Sequence, residues 1–194
     1  MIFPSRLETQ EGNFNSIFPF SIGPSLQRYQ QVFLAKEVLS AFRQEFITQI
    51  LFRPDAIFGN AFSSIIPDIQ INLSTTNAAP DRLSTTFANN VGNDDTVVFK
   101  RGSLSLSSID TGAVVGPKDF NIIINLSTPF LFNFSHGNLL LDVRVFTGGF
   151  TTVFDAENTF DDCISRVFSN NVNASTGLAD TIGLVTKFLT TCAP

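Results

Sequence analysis

From Ile65 to Phe146 the chain is a procession of short segments that alternate apolar and polar residues: IIPDIQINLSTT, DDTVVFK, GSLSLSS, KDFNIIINLSTPF and GNLLLDVRVF. Gly, Pro, Asn and Asp separate them. Successive side chains of a strand point to opposite faces, so such alternation dictates strands with one buried face. It is strict in Ile69-Gln70-Ile71-Asn72-Leu73-Ser74, where Ile, Ile and Leu share a face. Around ten short antiparallel strands with this pattern predict an all-β fold: a two-sheet antiparallel sandwich, jelly-roll-like, with one or two short helices.

The elements are placed as follows. Strands are expected over Arg28 to Leu34, Phe46 to Phe52, Thr151 to Phe154, Ile164 to Phe168 and Ile182 to Leu189. Phe120, Ile122, Ile124 and Leu126, and likewise Leu139, Leu141, Val143 and Val145, mark two strands central to their sheets. A hairpin is expected between Asp95 to Lys100 and Ser103 to Ser107, turning at Arg101-Gly102, because Gly supplies positive φ cheaply. Helical turns are expected over Ala35 to Leu39 and Asp81 to Phe87, the second bringing Leu83, Phe87 and Val91 to one face. At Arg53-Pro54-Asp55 a turn ends a strand, with Asp bonding its own backbone. Residues 1–16 lack sustained periodicity and read as an N-terminal arm with at most one short strand. Residues 17–194 read as one sandwich domain, a size that suits a single core.

Charged residues make up only 15% of the 194, against roughly 25% in typical soluble domains, so Ser, Thr and Asn must dominate the surface. A net charge of −5 with scattered basic residues argues against a nucleic-acid partner, whose affinity depends on Lys and Arg meeting phosphates. No apolar run approaches the ~20 residues of a membrane span. The 22 Phe against one Tyr and no Trp give an aromatic mass without polar handles, suited to a core. Cys163 and Cys192 show neither a CxxC redox spacing nor a zinc-ligand one. We expect them to form a disulfide closing a terminal loop, a constraint of about 3 kcal/mol on loop-entropy reasoning, with two free thiols as the alternative. No signal peptide opens the sequence. That leaves an intracellular protein or a mature segment trimmed at both ends, and the low charge and the expected disulfide favour the second.

RYQQVF at Arg28 to Phe33, LFRPD at Leu51 to Asp55, PDIQINLSTT, APDRLSTTFANNVGNDDTVVF, GSLSLSS, FNIIINLSTPF and GNLLLDVR form an ordered set. The set resembles bacterial secreted proteins that carry a PEP-CTERM sorting tail, over roughly residues 18 to 190. The resemblance implies export and association with a cell surface or extracellular matrix. It does not extend to the tail itself, a Pro-Glu-Pro motif with an apolar helix and a basic cluster. Several positions where such proteins have Tyr carry Phe here, and the cysteine pair lies outside the pattern.

Chemistry is sparse. His136 is the only histidine, in Phe134-Ser135-His136-Gly137-Asn138, and no Gly-x-Ser-x-Gly elbow accompanies it. It reads as a surface turn residue. Five glutamates form no recognisable glycosidase pair. In the acidic stretch Asp155 to Asp162, the side chains of Asp155, Glu157, Asp161 and Asp162 offer hard oxygen ligands for Ca²⁺, without an EF-hand's Gly and regular spacing. A solvated acidic loop is the plainer reading, and no other cofactor is expected. The sequence therefore leads to a non-enzymatic structural or adhesive protein, extracellular or on the cell surface. It is expected to be a homo-oligomer or matrix component, with Ile17 to Phe20 as candidate donor strand. The alternative is a carbohydrate-binding module of jelly-roll type that recognises extracellular polysaccharide.

Overall fold

The alternation that opens the sequence is realised as burial: Ile69, Ile71 and Leu73 are fully enclosed, as are Leu139, Val143 and Val145. The computed structural model describes residues 1–37, 44–113 and 115–192. Its strands are β1 (Ile2–Phe3), β2 (Phe14–Ser16), β3 (Gln27–Phe33), β4 (Gln44–Phe52), β5 (Phe62–Thr76), β6 (Thr96–Ser108) and β7 (Ile122–Asn133). These continue with β8 (Asn138–Thr147), β9 (Phe154–Asn158), β10 (Ile164–Ser169), β11 (Leu178–Asp180), β12 (Ile182–Leu184) and β13 (Thr186–Cys192). All pairings are antiparallel. A six-stranded sheet, β11-β10-β3-β8-β5-β6, faces a four-stranded sheet, β1-β13-β4-β7, and a third sheet, β12-β9-β2, adds a small panel. The expected sandwich is present, with that third panel in addition.

Phenylalanine fills the space between the sheets. Phe3, Phe33 and Phe188 form one trio with centroids 5.0 to 6.0 Å apart, and Phe20, Phe52 and Phe154 a second with centroids 5.2 to 6.0 Å apart. Tilted and edge-on geometry matches the ring quadrupoles, and each enclosed ring contributes about 1.5–3 kcal/mol.

Several expectations shift. No hairpin turn occurs at Arg101-Gly102. β6 runs through both residues, and Gly102 lies opposite Ile69. The reason is β5, whose fifteen residues offer a ladder along the whole of β6. The register shift between Ile66 and Ile69 absorbs Pro67, which has no N–H to give. Arg101 instead grips Asp68 across the strands and lies 3.6 Å from the centroid of Phe146. β8 is central as expected, but β7 pairs with β4 alone and is an edge. Where the two sheets approach, Ser127 Oγ of β7 donates to the Val98 carbonyl of β6 at 3.0 Å.

The helix expected over Asp81 to Phe87 is a loop, with Asp81 at φ 58, followed by one 3₁₀ turn, Phe87–Asn90. A left-handed residue stops a helix there. The apolar face was nevertheless well placed, since Leu83 and Phe87 pack on Val32, Leu140 and Val167 outside the six-stranded sheet, with Val91 beside them. A second 3₁₀ turn spans Ala35–Glu37, and the rest of that expected turn, Val38 and Leu39, lies outside the described residues.

The segment read as an arm, residues 1–16, is built into the sandwich. β1 pairs with β13 and β2 with β9, Phe3 and Leu7 are enclosed, and the Met1 ammonium donates to the Phe188 carbonyl at 2.8 Å. The candidate donor strand Ile17 to Phe20 is likewise tied down by Phe20 in the core.

The expected Cys163–Cys192 disulfide is not formed, and both thiols are free. Cys163 is enclosed beside β10 in one sheet, whereas Cys192 is exposed at the end of β13 in the other. Phe33, next to the Cys163 backbone, meets Phe188, and Cys192 lies about 13 Å further along β13 at strand rise. A bridge needs Cα atoms within about 7 Å. Burial pushes the Cys163 thiol pKa up, which further quiets it.

Two outcomes follow. A thiol reagent should label Cys192 alone in the native protein and both cysteines after unfolding without reductant. Phe3→Ala should cost about 3–5 kcal/mol in urea denaturation, since it empties the centre of a Phe trio. An arm outside the core would lose almost nothing.

Candidate functional site

Arg53 follows the apolar run Ile50-Leu51-Phe52 directly, so β4 carries a guanidinium into the interior at its end. It is 1% exposed and sits 2.6 Å from Asp155, itself 1% exposed, on β9. Arg53 Nε donates to Asp155 Oδ2 at 2.7 Å, and its Nη2 donates to the Gln10 carbonyl at 2.6 Å. The Phe120 ring lies 4.8 Å from the guanidinium carbon. The next residues turn sharply. Asp55 Oδ1 accepts the N–H groups of Ile57 and Phe58 at 2.9 and 2.7 Å, the self-capping expected of Asp after Pro.

The N-terminal strap crosses the same place. Glu11 Oε1 accepts the Ala56 N–H at 2.8 Å, and Gly12 N–H donates to Asp155 Oδ1 at 3.0 Å. A Cβ at Gly12 would stand 2.0 Å from the Ala156 carbonyl oxygen, so only glycine lets the strap lie this close to β9. Two residues on, Glu157 holds the strap again, accepting from Arg6 at 2.7 Å, from the Asn13 N–H at 3.1 Å and from the Thr159 hydroxyl.

Among the described residues, Glu11, Asp55 and Asp155 are the three acids whose oxygens lie within 4.8 Å of one another. They differ from the four expected to hold Ca²⁺. Asp155 joins this cluster, and Glu157 points to Arg6 and Asn13. Asp161 is exposed at φ 61 and donates its N–H to Asp81 Oδ2, while Asp162 Oδ1 accepts the Ile164 N–H. Sequence reasoning missed Glu11 and Arg53. The available signal was the arginine itself, since a charge directly after an enclosed apolar run requires a buried partner.

Burial, reinforced by Glu11 and opposed by Arg53, pushes Asp155 up to about 7. Burial also raises Glu11. Asp162 rises to about 6, mainly by burial. For Glu157, burial acts upward but is outweighed by the bonds from Thr159, Arg6 and Asn13, so its pKa is lowered.

Two of the three acids line a cleft of about 470 Å³. Glu11 and Asp55 share its lining with the exposed apolar side chains of Phe14, Ile57, Phe58 and Val115. A second cleft, about 390 Å³, is polar and gathers Asn77, Asn89, Asn93, Asp94 and His136 at an end of the sandwich. His136 is exposed there, its Nε2 3.3 Å from Asn133 Nδ2. No known protein family, curated protein or solved structure matches this chain. No helix among the described residues is long and apolar enough to cross a membrane.

The acids set a pH dependence. Burial makes Asp155 and Asp162 hold their protons to higher pH in the folded chain than in the unfolded one, where both release them near pH 4. The folded state therefore holds the extra protons in this interval, and stability falls as pH rises through it, by up to ~1.4 kcal/mol per pH unit for each proton. Glu157 acts oppositely, but only around and below its ordinary range. The melting temperature should drop from pH 5 to 7.5 and level off above. Glu11→Gln, which removes the like charge beside Asp155, should flatten that slope. Arg53→Leu, which strands Asp155 inside, should cost about 3–5 kcal/mol by urea denaturation at pH 8.

Proposed function

We propose that this chain is a non-enzymatic structural or adhesive β-sandwich of a cell surface or extracellular matrix, acting through the apolar-walled cleft beside Arg53. One observation carries the reading: four large apolar side chains stand open around a cleft whose acids are committed to holding the protein's own backbone. Contiguous exposed apolar surface of this kind marks contact sites. The low charge and the resemblance to PEP-CTERM secreted proteins support an extracellular setting. The cysteines, being unbridged, lend it no support.

Assembly by strand addition finds little purchase. The outer strands β1 and β11 have two and three residues, and β6 and β7 lean on each other. Adhesion through the cleft is the better-supported mode. On films of bacterial extracellular matrix, the protein should be retained, and Ile57→Ser with Phe58→Ser should release it several-fold faster. Both side chains are exposed, so the fold should survive the change. Unchanged retention would sink the reading.

The polar end cleft favours a second reading, carbohydrate binding, because amide and carboxylate side chains gathered in a concavity suit sugar hydroxyls. The film experiment separates the two. Retention that survives protease treatment of the film and is lost with Asn93→Ala and His136→Ala would replace the first reading with the second.

A further inference from the structure

The two outer faces of the sandwich are finished differently. Leu83 and Phe87 lie over the outer side of the six-stranded sheet at Val32, Leu140 and Val167. On the four-stranded sheet Ile122 and Ile124 enter the core, as do Phe130 and Phe132, so Ile123 and Leu131 between them turn outward. They are 41% and 42% exposed, and Leu189 of β13 is 39% exposed. Residues paired across strands share a face, and the register therefore sets three rows. Ile123 stands in line with Leu51 and Lys187, Asn125 with Gln49 and Leu189, and Leu131 with Phe46 and Thr191. Lys187 is the single charge in these rows, and its ammonium lies 5.9 Å from the Phe120 ring centroid.

The middle row carries an amide pair. Gln49 Nε2 donates to Asn125 Oδ1 at 2.6 Å. That bond leaves Gln49 Oε1 as an acceptor and Asn125 Nδ2 as a donor, without a partner among the described residues.

We propose that this face pairs with the same face of a second copy of the chain, sheet against sheet about a two-fold axis. The rotation sets Gln49 Oε1 of each copy against Asn125 Nδ2 of the other and brings Leu189, Ile123 and Leu131 together around them. Pairing here is independent of the cleft reading, since none of these residues lines that cleft.

The chemistry of the face selects this occupant. With one charge in three rows, neither an anionic nor a cationic partner finds complementary charges. A polysaccharide favours open aromatic rings with polar tips, and the rows hold one ring, the half-buried Phe46. An identical face is equally neutral and offers the missing donor and acceptor in the arrangement that a two-fold axis requires. The net charge of −5 is carried off these rows, and screening at physiological salt acts over about 8 Å, less than the roughly 10 Å between stacked sheets. Strands ~4.8 Å apart with ~3.3 Å per residue make the patch roughly 20 by 25 Å, about 500 Å² on each copy. A pair buries about 1,000 Å², the lower limit for a specific interface, so the pairing is weak and concentration-dependent.

Sedimentation equilibrium from micromolar to millimolar concentration is the test. The protein should pass from monomer to dimer with a dissociation constant on the order of 100 µM, and added salt should change it by no more than about twofold. Asn125→Asp keeps the acceptor for Gln49 Nε2 but replaces the donor with a charge that meets its own kind, and should weaken pairing at least about tenfold. Ile123→Lys with Leu131→Lys should do the same, while circular dichroism and melting temperature hold because both side chains are exposed. Ile57→Ser with Phe58→Ser, at the cleft, should leave pairing unchanged. A monomer at millimolar concentration overturns the proposal. So does a dimer that survives both Asn125→Asp and the lysine pair, or one lost with the cleft variant. A monomer whose retention on the matrix film is lost with Asn125→Asp makes the face a matrix contact and likewise overturns the pairing.

Discussion

The guanidinium of Arg53 and the carboxylate of Asp155, 2.6 Å apart and both withdrawn from water, join the end of β4 to β9, and with it the four-stranded sheet to the small panel. Two such charges cannot be enclosed separately, because desolvating either one costs several kcal/mol. Their pairing therefore dictates what surrounds them. The Gln10 carbonyl accepts from the guanidinium, Gly12 N–H donates to the carboxylate, and the Phe120 ring lies against the guanidinium. Because Gln10 and Gly12 belong to the N-terminal strap, the same interaction draws residues 1–16 into the fold. β1 and β2 then find their partners in β13 and β9.

The aromatic bias fits this division of labour. Phe rings need no hydrogen-bond partner, so two trios pack the interior without raising the number of polar groups to be satisfied. Much of the buried polarity ties one element to another, although both polar atoms of enclosed Gln27 meet no partner. On the outer face of the six-stranded sheet, Gln30 donates to Asp142 and to the Phe87 carbonyl and accepts from Asn90, while Arg28 reaches Asp142 and lies over the Phe87 ring. This network pins the loop of residues 77–95 over the sheet and sets the walls of the polar end cleft. Both clefts are thus bounded in part by paired strands, β2 and β5, and in part by loop segments that polar contacts hold in place.

Much of the architecture was legible in one dimension. Ile69, Ile71 and Leu73 were assigned to a buried face, and so were Leu139, Val143 and Val145, because period-two alternation survives any arrangement of strands. The turn at Asp55 was legible too, since Asp after Pro bonds locally. The hairpin at Arg101-Gly102 and the helix at Asp81 were not. Gly102 became a strand residue because β5 is long enough to pair across it, and Asp81 went left-handed where its loop wraps the sheet. Local propensity is weaker than pairing along a long neighbouring strand, even one whose register shifts three times.

The sequence by itself determined that this chain makes antiparallel strands with a Phe-filled interior and a surface poor in charge, since these follow from periodicity and composition. Tertiary structure alone decided where the acids act. Glu11, Asp55 and Asp155 are far apart along the chain, and their meeting depends on strand order, on the packing of the N-terminal strap and on the need of a buried arginine for a counter-charge. Likewise Cys163 and Cys192 were available to each other in composition and were separated by their placement in different sheets. Periodicity reports which face a residue turns to the core, whereas a site requires knowing which strands are neighbours, and that is fixed only when the sheets close.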